Sequence, residues 1–222
     1  MYIQLDGQVL YYEKTGEGRP LIMLHGNNES HEIFNEAIDV LSQSYTVYAI
    51  DSRGQGMSAT PKEFHYIDMA YDVINFITSL KIKKPILYGF SDGGIIGLHV
   101  ARLNGELLSK LIISGVNLSP KGLKGSAISM IKKEYKKSDY NPLIGLMLKE
   151  PNFFDFELEQ IDVPTCILAG SRDMVKSSDT KKLNKYIKSS TMKILPGETH
   201  SSYVIHSTKI ANLIIDYDKK EG

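Results

Sequence analysis

The chain has 222 residues, 42% of them hydrophobic and 23% charged, a balance that suits a folded globular protein and excludes a disordered one. Lys plus Arg total 26 and Asp plus Glu total 26, so no global field draws the chain to nucleic acid or to an anionic membrane surface. A small-molecule substrate is the expected partner, and the length fits one α/β domain over residues 1–222.

The N-terminus, Met1 to Gly7, is polar from the start and lacks the basic segment and apolar core of a signal peptide. Alternation about a turn at Asp6-Gly7 predicts a hairpin of strands Tyr2 to Leu5 and Val9 to Glu13. After it, apolar runs of strand length alternate with stretches of helical period. The runs are Leu21 to Leu24, Thr46 to Ile50, Ile86 to Phe90, Leu111 to Ser114, Thr165 to Ala169 and Met192 to Leu195, and they suit parallel strands buried on both faces. Phe34, Ile38 and Leu41 share one helical face, as do Ala70, Ile74 and Ile77. A helix opening just after Ser91 carries Ile95, Ile96, His99, Val100 and Leu103 to a stop at Gly105.

Between 118 and 162 the rhythm breaks. No convincing strand appears, only two helix-like pieces, one with Ile128, Ile131 and Tyr135, the other opened by Asn141-Pro142 and running to Lys149. This predicts a small helical lid inserted at about 119–162, with Lys132, Lys133, Lys136 and Lys137 on a solvated face. The only cysteine, Cys166, falls in the next apolar run, so no internal disulfide can form. Ser178 or Asp179 is placed to cap a helix through Leu183 and Ile187, and a last helix is expected from Tyr203 to Tyr217. The alternation as a whole predicts a doubly wound sheet with helices on both faces. No apolar run nears the roughly 20 residues that cross a bilayer, so a cytoplasmic protein without membrane contact is expected; oligomeric state leaves no trace.

The residues that suggest chemistry follow strand ends. The strand Ile86 to Phe90 runs into Ser91-Asp92-Gly93-Gly94 and then a helix, the setting that G-x-S-x-G requires, because its serine sits on a tight turn that tolerates only small residues two positions away. Asp92 is the rival nucleophile, but Phe90 would then occupy a position the turn cannot accommodate. A serine nucleophile needs a base and an orienting acid. Of six histidines, His200 alone lies in a loop just past the final strand, whereas His206 falls within the expected last helix. Asp173 lies just beyond the strand Thr165 to Ala169, and the order Ser91, Asp173, His200 is the one found with this motif. The backbone N–H groups of Asp92 and of Asn27, in His25-Gly26-Asn27, are the candidate donors to an oxyanion.

With these residues in hand, the chain resembles the α/β-hydrolase superfamily over nearly its whole length: the hairpin, Leu24-His25-Gly26-Asn27, Asp51-Ser52-Arg53-Gly54-Gln55-Gly56-Met57-Ser58, the Ser91 turn, and the Asp173 and His200 loops. The resemblance implies a mostly parallel eight-stranded sheet, a lid after the sixth strand, structural roles for Asp51 and Arg53, and no metal or organic cofactor. It implies a carboxylesterase-like serine hydrolase working through an acyl-enzyme on a small carboxylic ester. The same triad also serves cleavage of amides, thioesters, amino-acid esters or C–C bonds, or persists in a ligand sensor. Two departures bear on the pocket. The lid is short, and Asn27-Asn28 stands where an apolar pair is common, which makes Asn28 a candidate substrate contact. The Ser-Asp-Gly-Gly turn resembles that of amino-acid ester hydrolases, whose aspartate binds the substrate amine, which makes Asp92 a second candidate contact.

Overall fold

A computed structural model of the chain describes residues 1–220. Its strands are β1 (Tyr2–Leu5), β2 (Gln8–Thr15), β3 (Arg19–Leu24), β4 (Tyr45–Ile50), β5 (Ile86–Phe90), β6 (Lys110–Ser114), β7 (Thr165–Gly170) and β8 (Ser190–Leu195). They form one eight-stranded sheet in the order β1-β2-β4-β3-β5-β6-β7-β8. The hairpin and the β2–β4 pair are antiparallel, and every pairing from β4 to β8 is parallel. Parallel strands end along one edge, so the loops after β3, β5, β6, β7 and β8 all open there.

Side chains alternate across each strand, and both faces are covered. Ile22, Leu24, Leu87, Leu111, Ile113 and Ile167 share a core with α2 (Tyr66–Ser79), α3 (Asp92–Asn104) and α7 (Ser177–Tyr186). Leu21, Met23, Tyr88, Ile112, Cys166 and Leu168 share the other with α1 (Asn35–Leu41) and α8 (Lys209–Lys220). Each strand of the central sheet is therefore apolar at successive positions, which is why the runs were visible in the sequence. The expectation of burial on both faces fails at β8. It is an edge strand with a neighbour on one side only, and Met192 and Ile194 remain 37% and 42% exposed.

Two helix expectations also shift. The last helix begins at Lys209 and not Tyr203, because His206 adopts φ 48°, which a helix cannot continue through, and gives its backbone N–H to Ile33 O at 2.9 Å. Tyr203 and Val204 are buried beside α8 without belonging to it. Asp179 does not cap α7. It lies inside the first turn, and its carboxylate accepts the Leu118 N–H at 2.8 Å.

Between β6 and β7 the chain makes a 3-10 turn at Pro120–Gly122, then α4 (Gly125–Lys137), α5 (Pro142–Leu146) and α6 (Asp155–Leu158). Asn141 caps α5 by accepting the Leu143 N–H at 2.9 Å, as its place before proline suggested, but α5 stops short of Lys149. Leu123, Ala127, Ile131 and Ile144 bury a small separate core against Val175 of the loop after β7, closed by one antiparallel bridge between Leu123 and Val175. The four lysines of α4 are exposed. Among the described residues, no helix is long and apolar enough to cross a membrane.

His99 of α3 packs at a tilt against Phe153 from the β6–β7 segment, ring centroids 4.4 Å apart. Burial, aided by the charge of Arg102, pushes its pKa down to about 4 from 6.5. The folded protein thus keeps His99 neutral where the unfolded chain takes up a proton, so this group removes stability as pH falls from 6.5 towards 4. His99→Phe should abolish that loss: its unfolding free energy in urea, relative to the parent, should rise by roughly 3 kcal/mol between pH 7.5 and pH 4, at about 1.4 kcal/mol per unit. A pH-independent difference would contradict this.

Candidate active site

β5 ends at Phe90 and α3 begins at Asp92, so Ser91 alone makes the turn, at φ 52° and ψ −113°. Such a conformation is costly for a residue with a side chain, on the order of 1–3 kcal/mol. The surroundings hold it. The Ser91 N–H donates to Ser114 O at 2.8 Å, and Ser91 O accepts from Gly94 and Ile95 at 2.9 and 3.1 Å. The motif glycines are needed for backbone contact: a Cβ at Gly89 would lie 2.2 Å from Gly93 O, and one at Gly93 would lie 2.2 Å from Leu24 O.

The loop after β8 brings His200 to this turn, and the loop after β7 brings Asp173. His200 Nε2 is 3.1 Å from Ser91 Oγ, and His200 Nδ1 is 2.7 Å from Asp173 Oδ1. Asp173 is buried and also accepts the Val175 N–H at 2.9 Å. Burial alone would raise its pKa, but His200 and the backbone donors outweigh it and hold the carboxyl below its ordinary value. An ionised acceptor at Nδ1 fixes the proton there, which leaves the Nε2 lone pair facing the Ser91 hydroxyl. Phe90 packs on the imidazole, with ring centroids 5.1 Å apart. Gly115, just after β6 at φ 65°, permits the ring's position, since a Cβ there would lie 2.6 Å from His200 Cε1.

The other titratable residues of these loops are occupied with structure. His25 donates from Nδ1 to Gly26 O at 2.7 Å and accepts the Ser52 N–H at Nε2 at 3.0 Å, tying the end of β3 to the end of β4. Asp51 is fully buried and accepts from the His31 backbone at 2.7 Å, the His31 ring at 2.8 Å and Met57 N at 2.8 Å. Arg53 grips Asp72 with two hydrogen bonds, 2.7 and 2.8 Å. His206, the alternative base, is on the surface beside Glu36.

Among the described residues no acceptor takes the backbone N–H of Asn27 or of Asp92. Their side chains meet: Asn27 Nδ2 donates to Asp92 Oδ2 at 2.8 Å and to Leu143 O of α5 at 3.0 Å. Asp92 is 3% exposed, and burial pushes its pKa up to about 6 although Asn27, Tyr66 and His200 pull the other way. Asn28 is exposed, with its backbone N–H on Gln55 Oε1 at 2.6 Å.

Over Ser91 and Asp92 lies a cavity of about 20 Å³, lined also by Tyr66, Asn117 and Glu150 and by Leu123, Ile131, Met147 and Met174. That is room for about one water molecule. Met147 thus reaches the site, whereas Met130 and Phe154 are 56% and 62% exposed. Tyr66, Asn117 and Glu150 have no local signature; Glu150 arrives through His65 Nδ1 at 2.6 Å and the Tyr66 N–H at 3.1 Å. A larger hollow of about 530 Å³, near Lys84, Arg102 and Pro164, lies at the opposite edge of the sheet and lacks a nucleophile–base pair.

The sequence model of the alpha/beta hydrolase fold matches residues 19–133. The chain belongs to the alpha/beta hydrolase family. This alpha/beta hydrolase is 29% identical to the AB hydrolase superfamily protein YisY of Bacillus subtilis (strain 168), over 97% of this chain and 98% of that one. It is 26% identical to a putative non-heme chloroperoxidase of Synechocystis sp. (strain ATCC 27184 / PCC 6803 / Kazusa), over 94% of each. The esterase EaEST from Exiguobacterium antarcticum has the same fold, with a TM-score of 0.86 over 98% of both chains at 22% identity. Membership makes the protein a hydrolase, and relatives so differently named leave its substrate to the site.

Gly115→Ala should push the His200 ring away from Ser91. A displacement near 1 Å is worth about 100-fold in rate, so the variant should stay folded by circular dichroism yet lose roughly that factor in turnover of p-nitrophenyl acetate. Parent-like turnover would show that the ring's place does not depend on this glycine.

Proposed function

We propose that this alpha/beta hydrolase cleaves a small carboxylic ester through an acyl-enzyme, with Ser91 as nucleophile, His200 as base and then acid, and Asp173 as its orienting carboxylate. The observation that carries the reading is the pair of hydrogen bonds in line, 3.1 Å from His200 to Ser91 and 2.7 Å from His200 to Asp173. Ser91 Oγ attacks the acyl carbon while His200 Nε2 takes its proton, and the developing imidazolium is stabilised by ionised Asp173. The carbonyl oxygen becomes an oxyanion that receives hydrogen bonds from the N–H groups of Asn27 and Asp92, with the N-terminus of α3 adding positive potential. Collapse expels the alcohol, which leaves with the proton from His200. Water then attacks the acyl-enzyme with His200 as base, and the acid departs.

The segment at about 119–162 serves as the lid in this reading. With only about 20 Å³ over Ser91, substrate enters when α4 and α5 move off the nucleophile. A second reading, an amino-acid ester, is favoured by one observation: the carboxyl groups lining the cavity are Asp92 and Glu150, with no lysine or arginine beside them. An acyl group carrying an amine suits that lining, and one carrying a carboxylate does not.

Ser91→Ala should reduce kcat for p-nitrophenyl acetate more than roughly 1,000-fold without lowering stability. Equal rates in variant and parent would remove Ser91 from the mechanism.

A further inference from the structure

The carboxamide of Asn27 joins three parts of the molecule. Its Nδ2 reaches Asp92 Oδ2 at 2.8 Å and the Leu143 carbonyl of α5 at 3.0 Å. Two acceptors facing one end of the amide decide that this end is the nitrogen, because an oxygen there would oppose a carboxylate and a carbonyl. The two residues it ties together are the ones whose backbone N–H groups receive the oxyanion in the proposed mechanism. They come from different elements. Asn27 lies three residues past the end of β3, while Asp92 is the first residue of α3, so strand pairing alone does not set their separation.

Asn27 Oδ1 is buried without a hydrogen-bond partner, and an apolar side chain in its place would leave the buried Asp92 carboxylate without its Asn27 donor. What an apolar side chain could not do is hold Asp92 and α5 at once.

We propose that the Asn27 side chain is a positioning residue: it holds the two oxyanion donors at their working separation and, through the Leu143 carbonyl, makes that separation depend on α5 being seated. The inference rests on acyl transfer at Ser91. When α4 and α5 lift to admit substrate, one of the two hydrogen bonds that orient Asn27 is lost; when they close, it returns, and the oxyanion site is complete only with the substrate covered.

The test compares Asn27→Ala, Asp92→Asn, Asp92→Ala and the double alanine variant with the parent, in the full chain. Their kcat and KM on p-nitrophenyl acetate are measured, together with amide hydrogen exchange over 141–149. Asn27→Ala should lose about 30-fold in kcat with KM within about threefold, the pattern of an interaction realised only in the transition state. Asp92→Asn, which still offers an oxygen to Nδ2, should lose several-fold less kcat than Asp92→Ala. Asp92→Ala should match Asn27→Ala, and the double variant should be no slower than either, because the two residues act as one unit. Exchange over 141–149 should quicken in Asn27→Ala and not in Asp92→Ala. Should Asn27→Ala not fold, Asn27→Ser, too short to reach both acceptors, takes its place with the same expected loss. Parent-like kcat in Asn27→Ala, a loss confined to KM, or additive losses in the double variant would overturn the positioning role, and unchanged exchange would overturn the tie to α5. A parent that turns over no ester would overturn the acyl-transfer reading itself, and the positioning role with it. An active parent insensitive to Asn27 would overturn the positioning role alone.

Discussion

Ser91 is held in a left-handed turn because three backbones touch where no side chain intervenes. Gly89 lies against Gly93 O, and Gly93 against Leu24 O, so the start of α3 is pressed onto the ends of β5 and β3. A methyl group at either glycine would force these backbones apart by about 1 Å, and the Ser91 turn would relax with them. Everything at the site is measured from this contact. It sets Ser91 Oγ 3.1 Å from His200 Nε2, and it leaves the first N–H of α3 without an acceptor among the described residues, close to the loop that carries Asn27.

The parallel sheet then supplies partners at that same edge. Loops from β7 and β8 deliver Asp173 and His200, and the loop from β6 delivers Gly115, whose lack of a side chain leaves space for the imidazole. Two aspartates a short way apart are driven in opposite directions by their surroundings. Asp173 meets His200 and backbone donors, which overcome burial and keep it ionised. Asp92 has fewer donors and is pushed up to about 6 by burial. One carboxylate is kept charged beside the His200 imidazole, and the other is held mainly by Asn27.

Much of this was legible in the sequence, for identifiable reasons. β5 has the bounds its apolar run suggested, and its neighbours differ by a residue or two, because strands buried on both faces are apolar throughout. Ser91, Asp173 and His200, which the structure brings together, were visible since each follows a strand end in a recognisable order. β8 reads like the others by composition and is an edge strand, a distinction that only pairing reveals. Tyr203 and Val204 match the helical period of α8 and are buried with it, but a tertiary hydrogen bond from His206 to Ile33 takes the backbone another way. α6 is four residues long and shows no period. Gly115, Tyr66, Glu150 and the side-chain role of Asn27 arise from contacts between segments distant in the chain, and no local pattern encodes them.

The central claim is that Ser91 is the nucleophile, activated by its two partners. Treating the folded protein with a fluorophosphonate probe and locating the adduct by peptide mass spectrometry tests it most directly. The account predicts one covalent adduct, on the peptide carrying Ser91, and its absence in Ser91→Ala. A folded parent that takes up no probe, or takes it up on another residue, would contradict it.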